Sequence, residues 1–146
     1  MENLNCESLM IGDWVLTLDS THKEKVFAQV DAIEEGKHSI LVTRECSNWF
    51  VDIDWIEPIP LVPEILEKNG FVANRHVYPY PYYEYEVKEI KVKIGFAFPQ
   101  GNRTSYKEPW VCIDTECVYI EHLPCVFVHQ LQHAFRLCGI TREIII

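Results

Sequence analysis

The stretch Lys25-Val-Phe-Ala-Gln-Val-Asp-Ala-Ile33, followed by Glu34-Glu-Gly-Lys37 and His38-Ser-Ile-Leu-Val-Thr43, decides the fold of the first half of this chain. Two runs rich in β-branched residues flank a polar connection, which predicts two strands joined as a hairpin. Gly36 supplies the positive φ of a tight turn. Working outward, Gly12 and Asp13 precede Trp14-Val-Leu-Thr-Leu18, a strand stopped by Asp19-Ser-Thr21. On the other side, Trp49, Val51, Ile53 and Trp55 alternate with Asp52 and Asp54, so a fourth strand is expected with its aspartates facing solvent. Four short strands so close together predict a small, strongly bent antiparallel sheet or an SH3-like barrel.

Pro58 and Pro60 then interrupt any ladder, because proline has no N–H to donate, and they mark a boundary. Pro63 begins a helix to about Asn69, with Ile65 and Leu66 on its apolar side, Gly70 just past its end and Phe71 packing back on it. The tyrosine- and proline-rich segment Val77 to Tyr85 favours an extended, exposed connection. Ile90, Val92, Ile94, Phe96 and Phe98 then share one face of a strand, with Lys91 and Lys93 on the other. Tyr83, Tyr85 and Val87 have the opposite phase, so a bulge or turn near Lys88-Glu89 is expected. Trp110–Ile113 and Cys117–Ile120 read as a hairpin. Val126 to Cys138 has helical spacing, with Val128, Leu131, Phe135 and Cys138 on one stripe and His129, His133 and Arg136 near another; Gly139 ends it. Ile144-Ile-Ile146 would be an aggregation-prone edge if left open, so a last strand paired to the sheet or to a second subunit is expected. The fold class is therefore α+β: a small SH3-like antiparallel β-barrel over 1–60, then a short helix, a β-meander and a carboxy-terminal helix over 61–146, packed as one compact body.

Composition bounds the function. The 146 residues are 48% hydrophobic and 24% charged, an ordinary globular mixture able to form a core without staples. Net charge is -9, and residues 1–70 hold 14 acids against 5 bases, so the acidity belongs to the first half. Nucleic-acid backbones are bound by Lys and Arg displacing counterions, so general DNA or RNA binding is not expected; a basic protein partner is. Six cysteines are too few for a disulfide scaffold, and the first ten residues show no apolar signal region, which together predict reduced thiols in a cytoplasm. The longest uncharged stretch, His122 to Phe135, is too short and polar to span a bilayer.

No segment matches a specific catalytic or cofactor motif. Cys112, Cys117, Cys125, His129 and His133 carry zinc-ligand chemistry, but their spacing lacks a zinc knuckle and the cysteines lie in apolar strands, so buried cysteines beside a solvated histidine face are expected. Asp52 and Asp54 have the oxygens for a hard cation, yet alternation with core residues also describes the outer face of a strand. A Cys–His nucleophile has no supporting context. The tyrosine segment has the better claim to binding. Tyr78, Tyr80, Tyr82, Tyr83 and Tyr85, with Arg75, Lys91 and Lys93 nearby, offer aromatic contact area and cations suited to a protein surface or a stacked nucleotide.

Three blocks carry a family likeness: Leu9-Met-Ile-Gly-Asp-Trp-Val15, Ile56-Glu-Pro-Ile-Pro-Leu-Val-Pro-Glu-Ile-Leu-Glu-Lys-Asn-Gly-Phe71 and Val128-His-Gln-Leu-Gln-His-Ala-Phe-Arg-Leu-Cys-Gly139. The chain resembles small proteins of prophages, phages and mobile elements of gut anaerobes, with an IGN/D-W/Y-V start, a PIPLTPEIL–GF block and a VHQLQ-type terminal helix. Val62 stands where that family commonly has Thr, which removes a helix-capping side chain. The resemblance implies a mobile-element accessory role and no chemistry. The expectation is a non-enzymatic protein without cofactor or metal that binds a host or phage protein. The alternative is an anti-defence sponge sequestering a nucleotide or small signalling molecule, and a metal-dependent or Cys/His enzyme comes third.

Overall fold

Hydrophobic alternation in the first half produces a five-stranded antiparallel sheet in a computed structural model that describes residues 8–34, 36, 38–74, 82–95, 109–115 and 119–146. Its strands are β1 (Trp14–Leu18), β2 (Lys25–Ile33), β3 (Ser39–Arg44), β4 (Ser47–Asp52) and β5 (Glu57–Pro58), in the order β4-β3-β2-β1-β5. One face carries Val15, Ala28, Val30, Ile40, Val42 and Val51, all buried with Leu9, Ile53 and Ile56. Gly36 has the expected positive φ, 76°. The sheet is bent: the Trp49 indole N–H donates to the Leu18 carbonyl at 3.0 Å. β4 and β1 would stand about 14 Å apart across a flat sheet, beyond the reach of a tryptophan side chain. Among the described residues no pairing closes the sheet, whose ends are β4 and β5.

The Ile-Gly-Asp-Trp-Val block anchors the start of β1. Gly12, at φ 85°, makes the turn, and the wholly buried Asp13 carboxylate accepts the Met10 N–H at 2.8 Å while the Asp13 N–H donates to the Met10 carbonyl at 3.1 Å. The Val30 N–H donates to the Asp13 carbonyl at 2.9 Å, tying this turn to β2. One expected element is corrected: Ile53–Trp55 is a 3-10 helix, so β4 ends at Asp52. The Asp52 carboxylate accepts the Asp54 N–H at 3.0 Å and caps that turn, which competes locally with continued strand pairing. Trp55 is consequently 46% exposed instead of sharing the inner face with Val51.

Met1–Ile59 with Ile146 form one compact unit and Pro60–Ile145 a second. The second contains α1 (Pro63–Lys68), β6 (Val72–Asn74), β7 (Tyr82–Val87), β8 (Ile90–Gly95), β9 (Trp110–Asp114), β10 (Tyr119–Pro124) and α2 (Val128–Leu137). Its antiparallel sheet runs β10-β9-β8-β7-β6. Pro63 opens α1 with no side-chain cap at Val62. Gly70, at φ 80°, and the Phe71 N–H bond to the Leu66 carbonyl close it. At the head of α2 the Gln130 side chain accepts the Val126 and Phe127 N–H groups at 2.7 and 3.1 Å, satisfying donors that a helix start leaves open.

Two expectations are corrected in this unit. Tyr82 to Tyr85 lie in β7 and pair with β8, so that part of the tyrosine segment is a half-buried strand, not an exposed connection. A two-residue turn at Lys88-Glu89 reconciles the phases, with Lys88 at φ 54° and the register pairing Tyr85 with Val92 and Tyr83 with Ile94. The terminal Ile144-Ile-Ile146 forms no strand. The side chain of Asn69, 1% exposed, takes the place of a neighbouring strand: it donates to the Ile145 carbonyl at 2.7 Å and accepts the Ile145 N–H at 2.8 Å.

Candidate functional site

Cross-strand partners in a sheet share a face, so the register divides the tyrosines of β7. Tyr83 and Tyr85 lie with Ile94, Val92, Val111 and Ile113 on the face that meets both helices. The Tyr83 hydroxyl donates to Glu67 of α1 at 3.2 Å. Tyr85 stacks on Phe71 and on Phe135 of α2, with ring centres 5.2 and 5.7 Å apart, and its hydroxyl accepts from Arg142 at 3.3 Å. These two tyrosines are part of the unit's packing.

Tyr82, Lys91 and Lys93 occupy the opposite face. Lys93 lies over the Tyr82 ring at 5.4 Å and 4.0 Å from Glu84, and Lys91 is 3.8 Å from Glu86. The expected cations therefore stand beside carboxylates that offset their charge. Trp110 packs against Gly95, where a Cβ would fall 2.1 Å from the indole ring, so glycine is what admits the tryptophan there. A depression of about 340 Å3 is lined by Gly70, Val72, Tyr85 and the acids Glu84 and Glu86. Arg75, Tyr78 and Tyr80 fall outside the described residues.

Among the described residues, no group of three or more His, Cys, Asp or Glu is placed to hold a metal ion. Cys112 and Cys125 are buried, and Cys117 lies outside the described residues. Burial pushes the Cys125 thiol up to about 12, so it stays protonated near neutrality. The expected solvated histidine face is corrected in part: His129 is 4% exposed, its ring stacked on Phe127 at 5.8 Å and edge-on to His133 at 5.7 Å. Helical spacing alone placed it one step off the apolar stripe, but the buried arc of α2 spans Val128, His129, Leu131, Gln132, Ala134 and Phe135.

The surface that sequence reasoning did not single out is the outer face of the first sheet. Register places Phe50 beside Leu41 and Ala32, and Phe27 beside Leu16. Phe27 and Phe50 are 44% and 54% exposed. The unit bearing them, residues 1–59, holds 12 acids and 4 bases, a net of -8 out of the chain's -9. Asp31, Glu45 and Asp54 are exposed and in no ion pair among the described residues. The available signal in the sequence was phase: Phe27 and Phe50 are large aromatics on the polar phase of their strands. No helix among the described residues is long and apolar enough to cross a membrane. No protein-family model, no curated protein and no solved structure matches this chain.

Proposed function

We propose that this protein works by binding another protein, without catalysis, through the acidic first unit. The observation that carries this reading is the exposed aromatic pair Phe27 and Phe50 on a unit of net charge -8. Exposed aromatics supply contact energy, and a surrounding single-sign field supplies steering and selectivity for a basic partner. We read the first unit as SH3-like: the strand order β4-β3-β2-β1-β5, with a 3-10 helix between β4 and β5, and the bend marked by the Trp49–Leu18 bond support that reading. The accessory role in a phage or mobile element is what the sequence resemblance implies, and a cytoplasmic setting accompanies it.

Sequestration of a nucleotide is the weaker reading. Lys91 and Lys93 have carboxylates beside them, and Glu84 and Glu86 line the depression on β7, where a phosphate would be repelled. The test is affinity purification from the native host of the parent and of a Phe27→Ser/Phe50→Ser double variant with the parent's circular dichroism. We expect a stoichiometric partner that the double variant loses by about tenfold or more in affinity. Equal retention by both proteins, or a nucleotide of defined mass released from the parent on denaturation, overturns the reading.

A further inference from the structure

The β3–β4 hairpin fixes which main-chain groups of β4 face β3 and which face away from the sheet, where no described strand pairs with them. Arg44 pairs with Ser47 across the two-residue turn Glu45-Cys46, with Glu45 at φ 55°. In such a hairpin the closing pair exchanges both hydrogen bonds, and bonding then alternates along the ladder. Ser47, Trp49 and Val51 therefore turn their N–H and C=O groups toward β3. The Ile53 N–H continues that phase by donating to the His38 carbonyl at 2.8 Å. Asn48, Phe50 and Asp52 direct theirs outward from the end of the sheet.

Open strand edges are ordinarily blunted by proline, lysine, bulges or short length. The other end of this sheet obeys that rule, since β5 is the two residues Glu57-Pro58. The six residues Ser47-Asn-Trp-Phe-Val-Asp52 contain no proline and no lysine, and they carry the exposed Phe50. Three carboxylates lie near it in the register: Asp52 follows it on the same face of β4, Asp54 is two residues further along the chain, and Asp31 sits at the irregularity in β2 next to Ala32, whose row leads through Leu41 to Phe50.

We propose that the β4 edge takes up an extended, basic segment of a partner protein, which joins the first sheet as an added strand; this rests on the protein-binding reading above and names its site and partner class. Main-chain pairing with Asn48, Phe50 and Asp52 gives affinity, and Lys or Arg side chains over Phe50 meet the three carboxylates. Charge decides against a second copy of this chain as occupant, because edge-to-edge pairing would bring together two units of net charge -8.

The test uses the full chain and a synthetic octapeptide alternating Lys with Val and Thr, with affinity measured by calorimetry at low salt and main-chain protection by hydrogen exchange. The expected result is binding that shields the amides of Asn48, Phe50 and Asp52, while those of Trp49 and Val51 are already protected in the unbound protein. Asn48→Pro removes an outward N–H and no bond to β3, so it should lose about tenfold or more in affinity. Should that variant fail to fold, Asn48→Lys keeps the N–H, places a cation on the edge and should show the same loss. No peptide binding, equal binding by a folded Asn48 variant, or a dimer of the parent with its β4 amides already shielded overturns the proposal. A natural partner lost by Phe27→Ser/Phe50→Ser yet kept by Asn48→Pro would leave the protein-binding reading standing and the edge assignment refuted.

Discussion

Gly95 and Trp110 show how much one missing methyl group determines. A Cβ at Gly95 would sit 2.1 Å from two carbons of the indole, inside any allowed contact, so Gly95→Ala must displace the ring or spread β8 from β9. Overpacking of this kind costs about 1–3 kcal/mol. We expect a lower denaturation midpoint together with a shift in tryptophan emission. An unchanged midpoint would show that the ring moves aside freely. Asp13 is the corresponding case in the first unit. It is wholly buried, and its carboxylate accepts the Met10 N–H, so an aspartate at this position has a local structural cause in the turn before β1.

At the scale of elements, the carboxy-terminal segment is held by a side chain where a strand was expected. Asn69 occupies the end of α1, where its Nδ2 also donates to the Ile65 carbonyl at 2.8 Å, and its amide imitates the paired donor and acceptor of a neighbouring strand toward Ile145. Ile144, 2% exposed, is buried beside this bracket. Asn69→Ala leaves these main-chain groups without their partner, at a cost of about 1–3 kcal/mol. The expected outcome is a destabilised chain whose last residues are removed faster by carboxypeptidase, whereas Asn69→Asp should restore neither bond to the Ile65 and Ile145 carbonyls. Hairpins and helix ends were legible because their causes are local: Gly36, Gly70, Gly139 and Pro63 sit where a particular φ is required. The Asn69 bracket was not legible, since its partner lies 76 residues away.

For the whole molecule, charge is the property with the widest consequence. Residues 1–59 account for a net -8 of the total -9, so the basic partner proposed above would be steered to this unit in preference to the other. Association with such a partner should slow about tenfold or more as salt rises from about 20 mM to 500 mM, with dissociation changing much less. A salt-insensitive association rate would remove electrostatics from the account. The candidate site was half legible on this scale. The acidity of the first half was read from composition, whereas the division of Tyr82, Tyr83 and Tyr85 between two faces of one sheet depends on register.

The amino-acid sequence by itself determined the strands β1 to β4, β8 and β9, the helix ends and the placement of charge, because each of these depends on side-chain period, on residues suited to one φ, or on counting. Tertiary structure decided which face each tyrosine of β7 occupies, that His129 is buried, that Trp55 leaves the strand, and that β4 ends its sheet among the described residues. Those outcomes depend on register and on contacts between distant segments, and shifting a strand pairing by a single residue would invert every one of its faces.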